Sequence, residues 1–319
     1  MPKYLLWALL LLFALASPFI GIASLDLDTL LETGSLSHRI FFDLRLPRML
    51  LAFTVGGSLA LAGLLFQTLF RNALMTPFTL GVSGGAVLGA GIAIKLGLDI
   101  TLGISAISLF GFGGALFTII LLITLSRYLL KARQESLLLL GIALSFFYTS
   151  ALMVIFYISS FTETATIMRF TMGSLSIVGY TNVIIISAAS LLLLGILWFK
   201  RFELQLLALS DEQAALKGIN TQRLSYFLLL ITSVIIGILV SLTGPIGFVG
   251  LIIPHMIRRI YQQSLVSLIL PVFFLGALFL LACDTVARFL STSSEIPIGV
   301  ITALIGGPFF IYLIISKQR

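Results

Sequence analysis

The constraint that governs this chain is a succession of apolar runs, each close to the roughly 20 residues a helix needs to cross a bilayer. Breaks between them give ten segments, at about 4–24, 48–70, 78–95, 102–125, 137–158, 180–199, 224–243, 246–260, 265–287 and 297–315. The segment at 246–260 is the shortest and carries Pro254, so the choice between nine and ten spans rests on it. With 59% hydrophobic and 10% charged residues, the chain is far more apolar than a soluble domain, where charged residues make up about 25%. The sequence therefore predicts an all-α polytopic membrane protein built as a single transmembrane domain over 1–319. Lys3 followed by an apolar run and Ala14-Leu15-Ala16 resembles a secretory signal, but the run has spanning length and is expected to stay as the first helix.

Charge sets the orientation. With the N-terminus and ten spans as drawn, the cytoplasmic loops hold Lys3, Arg71, Arg127, Lys131, Arg133, Lys200, Arg201, Lys217, Arg223, Arg258, Arg259, Lys317 and Arg319, 13 of the 19 basic residues. Acidic residues divide the other way, with Glu135, Glu203, Asp211 and Glu212 inside. Both termini are thus expected in the cytoplasm. The net charge of +7 is accounted for by this loop bias, not by a nucleic-acid surface. One cysteine, Cys283, and two histidines, His38 and His255, are too few for a protein-held metal site.

The longest polar stretch between spans, Lys200 to Arg223, falls on the cytoplasmic side. Ser210 with Gln213 forms a capping box, Asp211 and Glu212 lie in the first turn, and Gly218 supplies a stop. This predicts a helix over 211–217, too short to stand alone in water. Outside, Leu25 to Leu46 reads as a surface segment. Thr162 to Leu175 reads as a short helix at the outer mouth, with Thr162 as N-cap and Gly173 as stop. Gly81, Gly85 and Gly89 repeat at the spacing of a close-packed helix face.

Several patterns bear on function. RLPR, Arg45 to Arg48, opens the second span, with Pro47 suited to a first turn. Its arginines, like Arg288 near Asp284, stand against the positive-inside rule. They read either as anchors to lipid phosphate, with Arg288 paired to Asp284 one turn back, or as a positive ring offered to an acidic partner. The spans carry no deep carboxylate, which counts against a proton-coupled secondary transporter. Gly81-Val82-Ser83-Gly84 with His255 matches an intramembrane serine protease only weakly. No phosphate-cradling loop exists, so ATP, if used, binds another subunit. The breakers Gly244-Pro245-Ile246-Gly247-Phe248-Val249-Gly250, then Pro254 and His255, imply irregular backbone surrounded by protein or by a water-filled cavity.

Seven blocks in fixed order carry a resemblance: RLPR (45–48), GLLFQTLFRNALMTP with LGVSGG (63–77, 80–85), MGSL (172–175), LSDEQAALKGIN (209–220), GPIGFVGLIIPHMIRR (244–259), DTVAR (284–288) and EIPIGVITALIGGPFF (295–310). The chain resembles the permease subunits of type II ABC importers for iron siderophores, haem and cobalamin. Ala73 departs from the family's usual proline. The resemblance implies a translocation subunit, not an enzyme, in a bacterial cytoplasmic (inner) membrane. It implies a homodimer with the pathway at its interface, two ATP-binding subunits that hold the ATP and Mg, and an extracytoplasmic binding protein. No cofactor is implied for this chain. Carried over residue by residue, Arg45, Arg48 and Arg288 would dock the binding protein. Leu209, Ser210, Asp211, Glu212, Ala215, Leu216 and Gly218 would form the coupling helix, within cytoplasmic helices near 203–218. Asn72, Leu74, Gln134 and Glu135 would gate the pathway, and Ser145, Phe146, Thr149 and Met153 would line it beside the outer helix 162–172.

Overall fold

A computed structural model describes residues 12–21, 25–26, 28–98, 105–128, 134–176, 179–208, 214, 216–261, 264–290 and 295–317. Among them regular structure is wholly helical: α1 (Leu46–Leu69), α2 (Val82–Lys95), α3 (Ala106–Tyr128), α4 (Gln134–Ile158), α5 (Phe161–Thr171), α6 (Thr181–Phe199), α7 (Arg201–Leu207), α8 (Thr221–Thr243), α9 (Val249–Ile260), α10 (Leu265–Leu290) and α11 (Ile298–Lys317). Among the described residues six helices are long and apolar enough to cross a membrane, and two more, Val82–Lys95 and Ile298–Tyr312, are apolar but shorter. Most of the expected first span lies outside the described residues.

Helix α1 is the axis of the bundle. It packs on α10, α9, α6 and α8, and small residues allow this. Gly56 faces the Gly276 carbonyl of α10, and Gly63 faces the Gly250 backbone of α9 so closely that a Cβ would collide with it. The expected glycine face holds for two of its three members: Gly85 and Gly89 lie against Gly114 and Phe110 of α3, whereas Gly81 caps α2 at φ +81 and lies beside α4. Helix α4 is the opposite case, with only 11% of its spanning window buried.

The weakest predicted span, 246–260, is a 12-residue helix, α9. It starts late because the chain from Gly244 to Phe248 is irregular, with Gly244 at φ +68 and Phe248 at φ +67. Pro254 has no N–H, so the Gly250 carbonyl four residues back loses its helical donor. In a membrane that loss must be repaired from elsewhere. Gln67 of α1 repairs it: its Nε2 donates to Gly250 O at 3.1 Å, while its Oε1 accepts from Arg258 Nη1 at 3.0 Å.

Two entries into helices differ from expectation. The second span is helical from Leu36, through a turn capped by Ser35 and a π turn over Ile40–Arg45. Pro47 still sits in the first turn of α1, and the Phe42 and Asp43 carbonyls before it accept from Tyr180 Oη (2.7 Å) and the Gly179 N–H (3.4 Å). The outer helix is capped by Ser160, not Thr162, because Ser160 and Glu163 form a reciprocal capping box.

Replacing Gln67 by Leu is predicted to lower stability by ~1–3 kcal/mol, because it strands the Gly250 carbonyl beside Pro254. Thermal unfolding in detergent measures this, and an unchanged midpoint would show that the carbonyl has another partner.

Candidate translocation site and outer charge cluster

Three segments meet at the outer end of the bundle. The residues after α5 reach Gly173 at φ +69, whose backbone packs on the Pro245 carbonyl. The Ser174 N–H donates to Thr243 O at 2.7 Å, and the Gly299 N–H of α11 donates to Met172 O at 3.1 Å. Gly244 and Gly299 permit the approach, since a Cβ on either would strike the Phe170 or Met172 carbonyl. The breakers flagged in the sequence thus join α5, α8 and α11 through backbone.

Below this junction opens a cavity of about 670 Å³, mainly apolar. Thr171 and Met172 line it at the outer end, Thr76 and Thr79 at the inner end, and Phe248, Val300 and Leu304 between. Phe248 reaches its place by packing on Gly306, where a Cβ would overlap the ring. Sequence reasoning missed Thr76, Thr79 and Phe248, although Phe248 lay inside the breaker cluster.

The inner end is a compact turn. Asn72 Oδ1 accepts the Leu74 N–H at 2.9 Å, and Met75 N–H donates to Asn72 O at 3.2 Å, an Asx-type turn. This local bond organises the turn where Ala73 replaces the family's proline. Thr76 and Thr79 close the next turn reciprocally: the Thr76 N–H donates to Thr79 Oγ1 at 2.9 Å, and the Thr79 N–H to Thr76 Oγ1 at 3.1 Å. Gly141 of α4 packs on Thr79 and Leu80, and Ser145 lies beside Gly81. The segment that follows the Asn72–Leu74 turn thus meets α4 at Gly141 and Ser145. Gln134 and Glu135 open α4. Phe146, Thr149 and Met153 do not line the cavity. They stand on the exposed face of α4, with Phe146 71% and Met153 64% exposed.

The three outer arginines also come together, but not as an exposed ring. Asp284, fully buried in α10, takes Arg48 Nε at 2.8 Å and Arg288 Nε at 3.0 Å. The second contact is a charge pairing, poorly aligned as a hydrogen bond. It is the i, i+4 pair anticipated for Arg288. Arg48 Nη1 also meets Glu295 Oε2 at 2.8 Å. Arg288 Nη2 donates to Ser17 Oγ at 3.0 Å, and Arg45 Nη1 to Pro18 O at 3.1 Å, so residues 17–20 cover both side chains. All three arginines are buried, each 7–8% exposed. Glu295 is half exposed and hydrogen-bonded by Ser176. Burial pushes its pKa up, but Ser176 and Arg48 outweigh that and hold it below the usual carboxylate range.

At the same end, Glu163 caps α5 and pairs with Lys95 Nζ of α2 at 3.1 Å. The Ser160 N–H, then Lys95, hold its pKa down. Its contribution is therefore present above the ordinary carboxylate pKa and is lost as pH falls through the depressed one.

Of the expected coupling segment, Leu209, Ser210, Asp211, Glu212 and Ala215 lie outside the described residues. Its end is visible. Gly218 has φ +76, and the Ile219 N–H donates to Ala214 O at 3.3 Å, a Schellman stop as predicted. Leu216 beside it is 88% exposed.

The profile of the FecCD transport family matches residues 9–316. The chain belongs to the FecCD transport family. It is 36% identical over 317 residues to the hemin transport system permease protein HmuU of Yersinia pestis, covering 98% of this chain and 94% of that protein. It is 34% identical over 311 residues to the molybdate import system permease protein MolB of Haemophilus influenzae, covering 96% and 90%. A solved structure, described as an inward-facing conformation of a metal-chelate type ABC transporter, superposes with a TM-score of 0.84 at 30% identity, covering 98% of this chain and 97% of that one. This FecCD family member is a multi-pass integral membrane protein.

Asp284→Ala is predicted to cost about 3–5 kcal/mol, since it leaves the buried Arg48 and Arg288 facing each other without their shared counter-ion. Thermal denaturation in detergent checks it, and a shift no larger than that of Glu295→Ala would contradict the central place given to Asp284.

Proposed function

We propose that this chain is the membrane-spanning subunit of an ATP-driven importer for a metal chelate of the siderophore, haem or cobalamin kind, working in the cytoplasmic membrane. The observation that carries the reading is the 670 Å³ apolar cavity, which runs from the outer junction to the inner turn. A large chelate with a mostly organic surface suits such a wall, which offers few polar groups to strip or replace. The relatives' names span hemin and molybdate, and the apolar wall favours the chelate over the small oxyanion.

The chain supplies the path and no chemistry. A second copy covers the exposed face of α4, bringing Phe146, Thr149 and Met153 to the shared pathway. Two ATP-binding subunits take the 209–220 segment, with exposed Leu216 entering a cleft, and hold ATP and Mg. This chain itself needs no cofactor. An extracytoplasmic binding protein delivers cargo and docks through carboxylates on Arg45, Arg48 and Arg288. Because those arginines are internally paired, docking is an exchange: the partner's carboxylate displaces half-exposed Glu295 from Arg48 while Asp284 keeps its place.

Reconstitution in proteoliposomes tests this. Accumulation of a ferric siderophore or haem is expected only with ATP, an ATP-binding subunit and a binding protein present together. Uptake by this chain alone on an ion gradient would instead make it a secondary transporter.

A further inference from the structure

The cytoplasmic elbow between α6 and α7 carries a cluster of one arginine and two aromatic rings. Arg201 folds back so that its guanidinium carbon lies 4.1 Å from the centre of the Trp198 ring and 5.0 Å from that of Phe202. Its Nε is buried without a hydrogen-bond partner. Among the described residues no carboxylate pairs with it. Glu203, two residues on, is held by Lys200 at 2.9 Å. Arg71 donates to the Leu207 carbonyl at the far end of α7, at 3.3 Å, and adds positive charge on the same side.

The exposed surface here continues the outward side of α6. Ile184, Leu191, Leu192 and then Phe199 (84% exposed) follow one another at helical spacing on α6, and Phe202 (62%) stands just past the break at Lys200, on α7. In a spanning helix such a face meets acyl chains, and its aromatic end marks the level of the headgroups. Positive charge places this end in the cytoplasmic leaflet, where anionic lipids concentrate. A guanidinium stacked between two rings keeps its Nη donors in a fixed fork, the geometry that grips two oxygens of one phosphate.

We propose that Arg201, Trp198 and Phe202 form a site for an anionic phospholipid of the cytoplasmic leaflet, with the lipid phosphodiester on the Arg201 fork and its acyl chain along the exposed face of α6. The lipid supplies the counter-ion that the protein withholds from Arg201. Continuity with the apolar face of a span favours a lipid over the ATP-binding subunit as the occupant.

The test uses the chain's two tryptophans. In the full-length Trp7→Phe protein, Trp198 is the only one left. The protein is placed in phosphatidylcholine bilayers containing either brominated phosphatidylglycerol or brominated phosphatidylcholine, and Trp198 quenching is compared. Quenching is expected to show a preference for the anionic lipid of about fivefold in relative affinity, the scale of one basic residue at an anionic surface. Arg201→Gln should remove that preference while leaving quenching by phosphatidylcholine in place. Equal quenching by the two lipids would overturn the proposal, and it does so without any Arg201 variant having to insert. So would a preference that survives Arg201→Gln, or one abolished by millimolar inorganic phosphate, which would make the site a free-anion site. Shielding of Trp198 from both lipids once an ATP-binding subunit is bound would assign the face to that subunit and overturn it equally.

Discussion

The structure depends on how α1 is allowed to touch its neighbours. Lipid offers no hydrophobic drive between helices, so association rests on close packing and on satisfied backbone. Gly63 against Gly250 brings α1 and α9 into backbone contact, and Gln67, one turn further on, occupies the carbonyl that Pro254 leaves without a donor. The same glutamine accepts from Arg258 near the cytoplasmic end of α9. One polar side chain thus lets a proline-broken, 12-residue helix exist at membrane depth. Because α9 is short, the irregular Gly244–Phe248 segment lies where it can face a cavity, and Phe248 becomes part of the wall.

The outer end follows a related rule. Charges removed from water must be paired, and Asp284 serves two arginines from α1 and α10 at once. Residues 17–20 add carbonyl acceptors over Arg45 and Arg288. Only Glu295 in this cluster has substantial exposure, so the Arg48–Glu295 contact is the one that borders solvent.

Much of this was legible in the chain. The apolar runs located the spanning helices, and two members of the glycine period, 85 and 89, mark a real helix contact, while Gly81 is the left-handed cap of α2 and lies against α4 instead. The breaker cluster at 244–250 marked the cavity, and Gly218 marked a real helix stop. What failed was of two kinds. The cap of α5 lies two residues before the expected Thr162, at Ser160, whose spacing to Glu163 is that of a capping box and is visible in the sequence. The burial of the arginines was not legible at all, because the pairing of Arg48 with Asp284 and Glu295 joins residues more than 230 positions apart. Phe146, Thr149 and Met153 share an exposed face of α4, whereas Ser145 turns toward Gly81 of the same chain.

The central claim is that this chain forms one half of a pathway that a second copy completes across α4. Cross-linking of Met153→Cys in membranes tests it most directly, since the sole native cysteine, Cys283, is buried. A short bifunctional maleimide is expected to join two copies through position 153, with added cargo protecting the site. Labelling of that cysteine by a membrane-partitioning maleimide with no cross-linked dimer would show that α4 faces lipid, and would contradict the account.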